Sequence, residues 1–314
     1  MIAFFGTPEF AAVHLDGLLA AGLPVGLVVT RPDRPRGRGH APEPSRVAAL
    51  AARCGIEALA PERPRDAAFA AELARRGPEL LLVVAYGAIL TREVLAVPRF
   101  GAVNLHASLL PRWRGAAPIA SAIRAGDALT GVTTFFIDEG LDTGAMILSR
   151  ETPIGPEETA GELTARLAAI GRDALVETAR LVLDGRAPRE PQPSAGVTLA
   201  PRLTKEDGWI EWERPAEEIA RFVRAMTPWP AARTGLRGQA ATLLAAQAIG
   251  ERSGAATPPA PGRILSIEPE GIVVATGRGI LLIRRIKMPG RRAIAGDEFA
   301  RGARLSIGEA FVRP

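Results

Sequence analysis

The chain has 314 residues, 47% of them hydrophobic and 23% charged, with a formal net charge of +5 and a single cysteine. That length predicts two domains with a core each, and the composition is that of an ordinary soluble globular protein. Cys54 alone excludes an internal disulfide and a cysteine-ligated metal, suits a reducing cytosol, and is expected as a small buried apolar residue. The longest aliphatic run, Leu80 to Ala85, is too short to span a bilayer.

Apolar runs at Ile2–Phe5 and Val25–Val29 predict strands on either side of a helix from Phe10 to Ala20. The opening Met1-Ile-Ala-Phe-Phe5 has no basic start and no long apolar core, so it is expected as a first strand and not as a signal peptide. A strand-helix-strand unit of this length pairs in parallel through a right-handed crossover. Further strands are predicted near Ile56–Leu59, Leu80–Ala85 and Ala102–Leu105, with helices at Ser45–Cys54, Asp66–Arg75 and Thr91–Leu95. The fold class is therefore α/β, an open, doubly wound, mostly parallel sheet that takes ligands beyond the carboxyl ends of its strands. Gly6-Thr-Pro8, Thr30, Tyr86-Gly87 and the pair Asn104 and His106 all fall at such ends. Neither Gly6-Thr-Pro-Glu-Phe10 nor Gly37-Arg-Gly39 fits a dinucleotide fingerprint. Arg31 to Pro44 holds four arginines and four prolines, which cannot pack as helix or strand and predict a basic loop beside the active edge.

The stretch Val103 to Pro118, VNLHASLLPRWRGAAP, is the centre of the pattern. On a strand, Asn104 and His106 project from the same face. The imidazole can carry a proton and the carboxamide can stabilise an oxyanion, or the two can simply cap the strand and bond locally. A turn at Ser108–Pro111 and a basic, aromatic loop, Arg112-Trp-Arg-Gly115, lead into a helix expected over Ala116–Ala125. Gly131–Ile137 and Ala145–Ser149 are the next strands. Glycines 140 and 144 in Asp138-Glu-Gly-Leu-Asp-Thr-Gly144 permit a tight loop that brings a carboxylate over the sheet edge, although such acids also stabilise turns. A helix from Glu158 to Leu183 closes the domain. His14 is most simply structural, and His14, His40 and His106 do not make a metal site.

Arg186 to Ala200 is Pro-rich and lacks periodicity, so it reads as a linker. The expected division is a catalytic domain over 1–186, a linker over 187–203 and a second domain over 204–314. Beyond the linker a helix, Pro215–Ala225, precedes short strands near Thr242–Ala246, Gly262–Ile267, Ile272–Thr276 and Gly279–Ile286, which suggest a small barrel. Trp209, Trp212 and Trp229 are expected to pack cores more than to stack on bases. Residues 204–314 hold 17 Lys and Arg against 12 Asp and Glu, which accounts for the whole +5. Within them, Arg284, Arg285, Lys287, Arg291 and Arg292 form a run with no acid between, either a solvated face or the footprint of a polyanion such as RNA.

Taken together, Asn104-x-His106, Ser108-Leu-Leu-Pro111 and Arg112-Trp-Arg-Gly-Ala-Ala-Pro118 resemble the signature of the methionyl-tRNA formyltransferases. Phe5-Gly-Thr-Pro-Glu-Phe10, Arg31-Pro-Asp-Arg-Pro35, Val84-Ala-Tyr-Gly87, Asp138–Gly144, Leu203-Thr-Lys-Glu-Asp207, Pro228-Trp-Pro230 and Pro289-Gly-Arg-Arg-Ala293 fit in the family's order, over the whole chain. The resemblance implies formyl transfer from 10-formyltetrahydrofolate to the α-amino group of methionine on initiator tRNA. It further implies a cytoplasmic enzyme with no metal, no membrane and no obligate protein partner, and an OB-like second domain that holds tRNA. It selects Asn104, His106 and Asp142 as catalytic, Asp142 orienting the imidazole, and leaves Asp138 and Glu139 as loop residues. Ser108, Leu109, Leu110 and Pro111, with Tyr86 and Gly87, become the folate-binding set. Arg36 and Arg38 of the basic loop, with Arg284, Arg285, Lys287, Arg291 and Arg292, become the tRNA-binding set. His40 and Ala41 stand where the family usually carries lysines. Rivals are a formyltransferase for glycinamide ribonucleotide or a sugar nucleotide, a formyl-folate hydrolase, and a non-catalytic RNA-binding protein on the same scaffold. The basic second domain and Arg112–Pro118 argue against the small-molecule enzymes, and the intact Asn104, His106 and Asp142 against the binding protein.

Overall fold

In the computed structural model, residues 1–35, 42–250 and 259–313 are described, and they fall into two compact units. Unit 1 comprises Met1–Pro118, Leu129–Pro153 and Thr164–Ala200, and unit 2 the remainder. In chain order the elements as far as Ala200 are β1 (Ile2–Gly6), α1 (Glu9–Ala20), β2 (Val25–Val29), β3 (Arg34–Pro35), β4 (Pro42–Glu43), α2 (Arg46–Arg53), β5 (Glu57–Leu59), α3 (Ala67–Arg76), β6 (Leu80–Val84), α4 (Arg92–Leu95), β7 (Ala102–His106), β8 (Arg114–Gly115), α5 (Pro118–Ala125), β9 (Leu129–Phe136), β10 (Met146–Pro153), α6 (Ala160–Leu183) and β11 (Leu199–Ala200), of which α5 beyond Pro118 and the first turn of α6 belong to unit 2. The main sheet runs β10-β9-β7-β6-β1-β2-β5. The five strands from β7 to β5 are parallel, whereas β9 and β10 are antiparallel to their neighbours.

β1 and β6 are buried along their whole length, as strands covered on both faces must be, which is why they read as unbroken apolar runs. One face packs Phe5, Leu27, Val29, Leu81 and Val83 against Phe69 and Leu73 of α3. At the carboxyl edge Thr7 ties three loops together, its hydroxyl donating to the Tyr86 carbonyl at 3.2 Å and accepting from the Arg31 N–H at 3.3 Å. Ser45 caps α2 by accepting from the Ala48 N–H, and its hydroxyl also meets that of Thr30 at 2.8 Å.

His14 is the buried polar residue of α1. Its Nδ1–H donates to the Phe10 carbonyl at 2.6 Å, and its Nε2 is buried with no partner. A Cβ on Gly171 of α6 would come within 2.6 Å of that nitrogen and 3.1 Å of Leu105, so glycine there lets α6 close over α1 and β7.

Unit 2 is a closed barrel. Beyond a 3-10 turn at Glu206–Gly208 it holds α7 (Ala216–Met226), β12 (Ala232–Leu236), β13 (Gln239–Ala248), β14 (Ile264–Glu268), β15 (Gly271–Ala275), β16 (Ile280–Lys287), β17 (Ile294–Ala295) and α8 (Gly296–Ala303). The antiparallel sheet runs β12-β13-β16-β15-β14, and residues 309–312 join its two edges. Gly235 exchanges both backbone bonds with Val312, while Ile264 donates to the Glu309 carbonyl and Phe311 to that of Gly262. Closure removes both unpaired edges. Arg237 fixes the closing segment through a two-bond contact with Glu309 at 2.7 Å, and that contact holds the Glu309 carboxyl down to about 2. Trp212 fills the interior, its indole N–H donating to Thr234 Oγ1 and its ring stacked 5.8 Å from Phe311.

Several expectations need correction. The stretch 187–203 is not a free linker, because residues up to Ala200 belong to unit 1 and β11 pairs in parallel with β8. A Pro-rich chain can still donate and accept at its non-proline positions, and periodicity does not register that. Arg31–Pro44 contains a two-residue ladder, β3 with β4. Cys54 is exposed, because it lies just past the carboxyl end of α2. Trp212 packs the core as expected, but Trp229 is 54% exposed. β12 and α8 are absent from the sequence-based prediction. Among the described residues no helix is long and apolar enough to cross a membrane.

Burial pushes the His14 imidazole down to about 4, because a second proton would sit on Nε2 with nothing to receive it. The unfolded chain therefore binds a proton near pH 6.5 that the native chain refuses until about pH 4. Stability from this residue is complete above pH 6.5 and falls as the pH drops towards 4, by about 3 kcal/mol in all. Urea unfolding of wild type and His14→Leu between pH 7 and 4 checks this, and the variant's stability should flatten by that amount relative to wild type. Parallel curves would overturn it.

Candidate active site

β7 lies between β6 and β9, with Asn104 opposite Val83 and Phe135 and His106 opposite Thr133. The period of two puts Asn104 and His106 on one face, Asn104 half-buried and His106 only 6% exposed. Among the described residues the Asn104 carboxamide makes no hydrogen bond. His106 is held on both sides. Its Nε2 lies 2.8 Å from the Trp113 carbonyl and its Nδ1 3.6 Å from Asp142 Oδ2. A carbonyl only accepts, so Nε2 carries a hydrogen, and the carboxylate opposite Nδ1 is complementary to a ring with a proton on both nitrogens.

Asp142 reaches this position by an indirect route. β9 is antiparallel to β7, so it ends beside the amino end of β7, where Ile137 N–H donates to the Ala102 carbonyl. The 137–145 loop must then run back along β7 to meet His106. Asp138 builds the bend, its Oδ1 accepting from the Gly140 N–H and the Thr143 hydroxyl. A Cβ at Gly144 would stand 1.7 Å from the Phe136 carbonyl oxygen, so only glycine lets the loop return that closely. Asp142 Oδ2 finally accepts the Gly115 N–H at 2.8 Å, and Gly115 has φ +120° and no room for a Cβ against the Ala200 carbonyl.

The Ser108–Pro111 turn is held from beneath. Thr133 Oγ1 donates to the Ser108 carbonyl at 2.8 Å and accepts the Leu110 N–H at 3.1 Å, while Ser108 Oγ donates to the Arg112 carbonyl. Ser108 and Leu110 are buried, so a ligand would meet this turn through Leu109, Pro111 and the backbone. Tyr86 is likewise a core residue, edge-on to Phe5 at 5.3 Å with its hydroxyl buried and unpartnered, and burial pushes its phenol up to about 12. Gly87 is exposed at φ +79°. Beyond it Ile89 is 68% exposed and, on the Asp142 loop, Leu141 is 61% exposed. Arg92 meets Glu139 at 3.8 Å, so the two loops face each other.

The fold brings together Asn104, His106, Asp142 and the Ser108–Pro111 turn. Arg36 and Arg38 lie outside the described residues. Arg284, Arg285, Lys287, Arg291 and Arg292 are exposed in unit 2. A bulge in the β13–β16 ladder puts Arg284 and Arg285 outward in succession. Arg284 pairs with Glu157 and Arg292 with Glu298, whereas Arg285, Lys287 and Arg291 make no ion pair among the described residues.

The profile of the family described as Formyl transferase matches residues 1–179, and that of its C-terminal domain matches residues 202–304. A methionyl-tRNA formyltransferase of Symbiobacterium thermophilum is 46% identical over 315 aligned positions, covering 100% of this chain and 95% of the relative. The chain belongs to the methionyl-tRNA formyltransferase family. Another of these formyltransferases, from Aromatoleum aromaticum, is 46% identical over 310 positions, covering 99% of this chain and 96% of its own. The crystal structure of an N-formyltransferase from Helicobacter canadensis in complex with folinic acid and dTDP-3-aminofucose shares the fold, with a TM-score of 0.68 at 16% identity, covering 90% of this chain and 98% of that one. The formyltransferase fold therefore carries the Asn104, His106 and Asp142 cluster, and this chain is an enzyme of that class.

The groups that sequence reasoning missed are backbone and neutral ones. They are the Trp113 carbonyl, the Gly115 amide, Thr133, and Gln192 and Thr198 from the stretch read as a linker. A carbonyl leaves no mark in a sequence. Gly115, by contrast, stands in a recognisable motif, and its glycine was the available signal.

Replacing Thr133 by the isosteric valine would leave the Ser108 carbonyl and Leu110 amide buried without partners, at about 1–3 kcal/mol each. Chemical denaturation should show Thr133→Val destabilised by about 2–5 kcal/mol. A loss below about 0.5 kcal/mol, the level of an ordinary surface change, would mean the turn stands without this support.

Proposed function

We propose that this enzyme transfers the formyl group of 10-formyltetrahydrofolate to the α-amino group of methionine on initiator tRNA. One observation carries the catalytic assignment: a nearly buried imidazole held between a carboxylate and a carbonyl, with an open carboxamide two residues away on the same strand face. The exposed Ile89 and Leu141, on loops bridged by Arg92 and Glu139, fit a flat heterocycle between them, and the turn at Leu109 and Pro111 borders the same strand end. The folate supplies an activated one-carbon acyl group.

In this reading Asn104 Nδ2 donates to the formyl oxygen as negative charge develops there, and preorganised donors of this kind are worth about 3–4 kcal/mol each at best. His106, entering with a proton on both nitrogens, gives its Nε2 proton to the departing nitrogen and then takes up the proton released by the attacking amine. Nε2 is the ring atom that serves, since Nδ1 faces Asp142, so its bond to the Trp113 carbonyl is exchanged for one to the reacting atoms. Asp142 holds the ring in orientation and balances its charge. Residues 1–186 then carry the chemistry in the cytoplasm. Residues 187–203 serve that side, and residues 204–314 hold the tRNA without a membrane or an obligate protein partner. Arg36 and Arg38 are proposed to reach the acceptor end. Arg285, Lys287 and Arg291 are proposed to meet the phosphates in unit 2, ahead of the already paired Arg284 and Arg292.

Transfer assays with charged initiator tRNA, charged elongator tRNA and free methionine test the acceptor. A preference for the initiator is expected, together with loss of at least about 10²-fold in kcat for His106→Ala. Formyl release without a tRNA acceptor would instead favour a hydrolase, and efficient transfer to a small nucleotide would favour a small-molecule enzyme.

The triple variant R285A/K287A/R291A should weaken tRNA binding. Its plot of log K against log salt concentration should be shallower by up to about 3, close to one unit for each phosphate no longer neutralised. An unchanged slope would remove these three residues from the interface.

A further inference from the structure

The two groups that hold His106 both hang from strained backbone. Trp113 has φ +60° and Asp142 φ +53°, and neither is glycine. A non-glycine residue in the left-handed region persists only where its surroundings over-determine it. In both residues the backbone is bonded by one segment, residues 189–200, beyond the end of α6.

That segment is attached to unit 1 along its length. Arg189 lies 3.7 Å over the Phe136 ring, and Glu190 exchanges two backbone bonds with Met146. Thr198 Oγ1 accepts the Trp113 N–H at 2.8 Å, and the Thr198 carbonyl accepts that of Arg114. The Ala200 carbonyl accepts from Ala116 at 2.8 Å. Between these points stands Gln192. Its Nε2 donates to the Asp142 carbonyl at 2.8 Å and the Gly144 carbonyl at 3.0 Å, and its Oε1 accepts from Arg114 Nε and Nη2 at 3.1 and 2.7 Å. Every polar position of the carboxamide is used, and only this orientation satisfies them all, since the reverse would set NH₂ against a guanidinium and oxygen against two carbonyls. Gln192 thus ties the loop that carries Asp142 to the one that carries Trp113 and Gly115. These are the loops between which the imidazole is held.

We propose that Gln192 is a positioning residue for formyl transfer, its carboxamide fixing the backbone of Asp142 and so the place at which that carboxylate meets His106. Thr198 does the same for Trp113. This rests on the roles proposed above for His106 and Asp142. Neither Gln192 nor Thr198 touches substrate in this scheme.

Three measurements on the full-length chain test it. Gln192→Ala and Gln192→Glu should both lower kcat roughly ten- to hundredfold, the scale on which small misplacements act. The KM for folate and for tRNA should stay close to wild type. Gln192→Glu is the sharper variant, because a carboxylate can still accept from Arg114 but cannot donate to two carbonyls. In an Asp142→Asn background Gln192→Ala should add little, less than about threefold, because groups acting as a unit are not additive. The imidazole ¹⁵N signals of His106, one of only three histidines, should move in both Gln192 variants and in Thr198→Val while those of His14 stay. Unmoved His106 signals with wild-type kcat, or losses that multiply fully with Asp142→Asn, would overturn the proposal. Moved signals with full activity in Asp142→Asn would uphold the coupling of Gln192 to His106 while sinking the catalytic assignment beneath it.

Discussion

The site depends on an imidazole that cannot turn. A histidine on a strand end has a free χ2, and its two nitrogens are interchangeable to a substrate unless something distinguishes them. Here a carbonyl occupies one side and a carboxylate the other, and both are anchored to backbone rather than to flexible side-chain stems. The Asp142 carboxylate is itself fixed by the Gly115 amide, and Gly115 is fixed by a ladder to β11 in which a side chain would not fit. Orientation is therefore set by main-chain geometry, which packing determines more tightly than rotamer preference can.

The sheet explains why so much loop structure is needed. Had β9 run parallel to β7, its following loop would have opened at the same end as His106, and a short turn would have delivered an acid. An antiparallel β9 delivers its loop at the opposite end. The chain must then travel back along β7, which costs a tight glycine return at 144, an Asp138-centred bend and a left-handed residue at 142. A returning loop with few apolar anchors needs external bonds, and the segment after α6 supplies them.

Much of this was legible in the sequence for physical reasons. Strands covered on both faces, such as β1 and β6, read as continuous apolar runs, and a period of two placed Asn104 beside His106. The family resemblance singled out Asp142 from Asp138 and Glu139, which spacing alone left level. What stayed illegible shares one cause. The bonds that hold Trp113, Asp142 and Gly144 use carbonyls, amides and the neutral side chains Gln192 and Thr198, in a segment whose prolines mask its order. Tyr86 and Ser108 stand in recognisable motifs, and what the sequence did not show is that their polar atoms face inward.

Under the proposed function, unit 2 answers a different physical demand. A phosphate backbone is recognised by charge over several ångströms, so its cations need exposure and spacing more than fixed angles. The bulge in β16 provides this, turning Arg284 and Arg285 outward together where a regular strand would bury one of them. Ion pairs with Glu157 and Glu298 then occupy two of the five cations and leave three unpaired among the described residues. The barrel must hold its shape under that self-repulsion, and the Arg237–Glu309 pair at its closing segment does so locally with opposite charges. On that proposal one chain meets two demands, fixed orientation at His106 and exposed charge at β16, and it builds the first from backbone and the second from side chains.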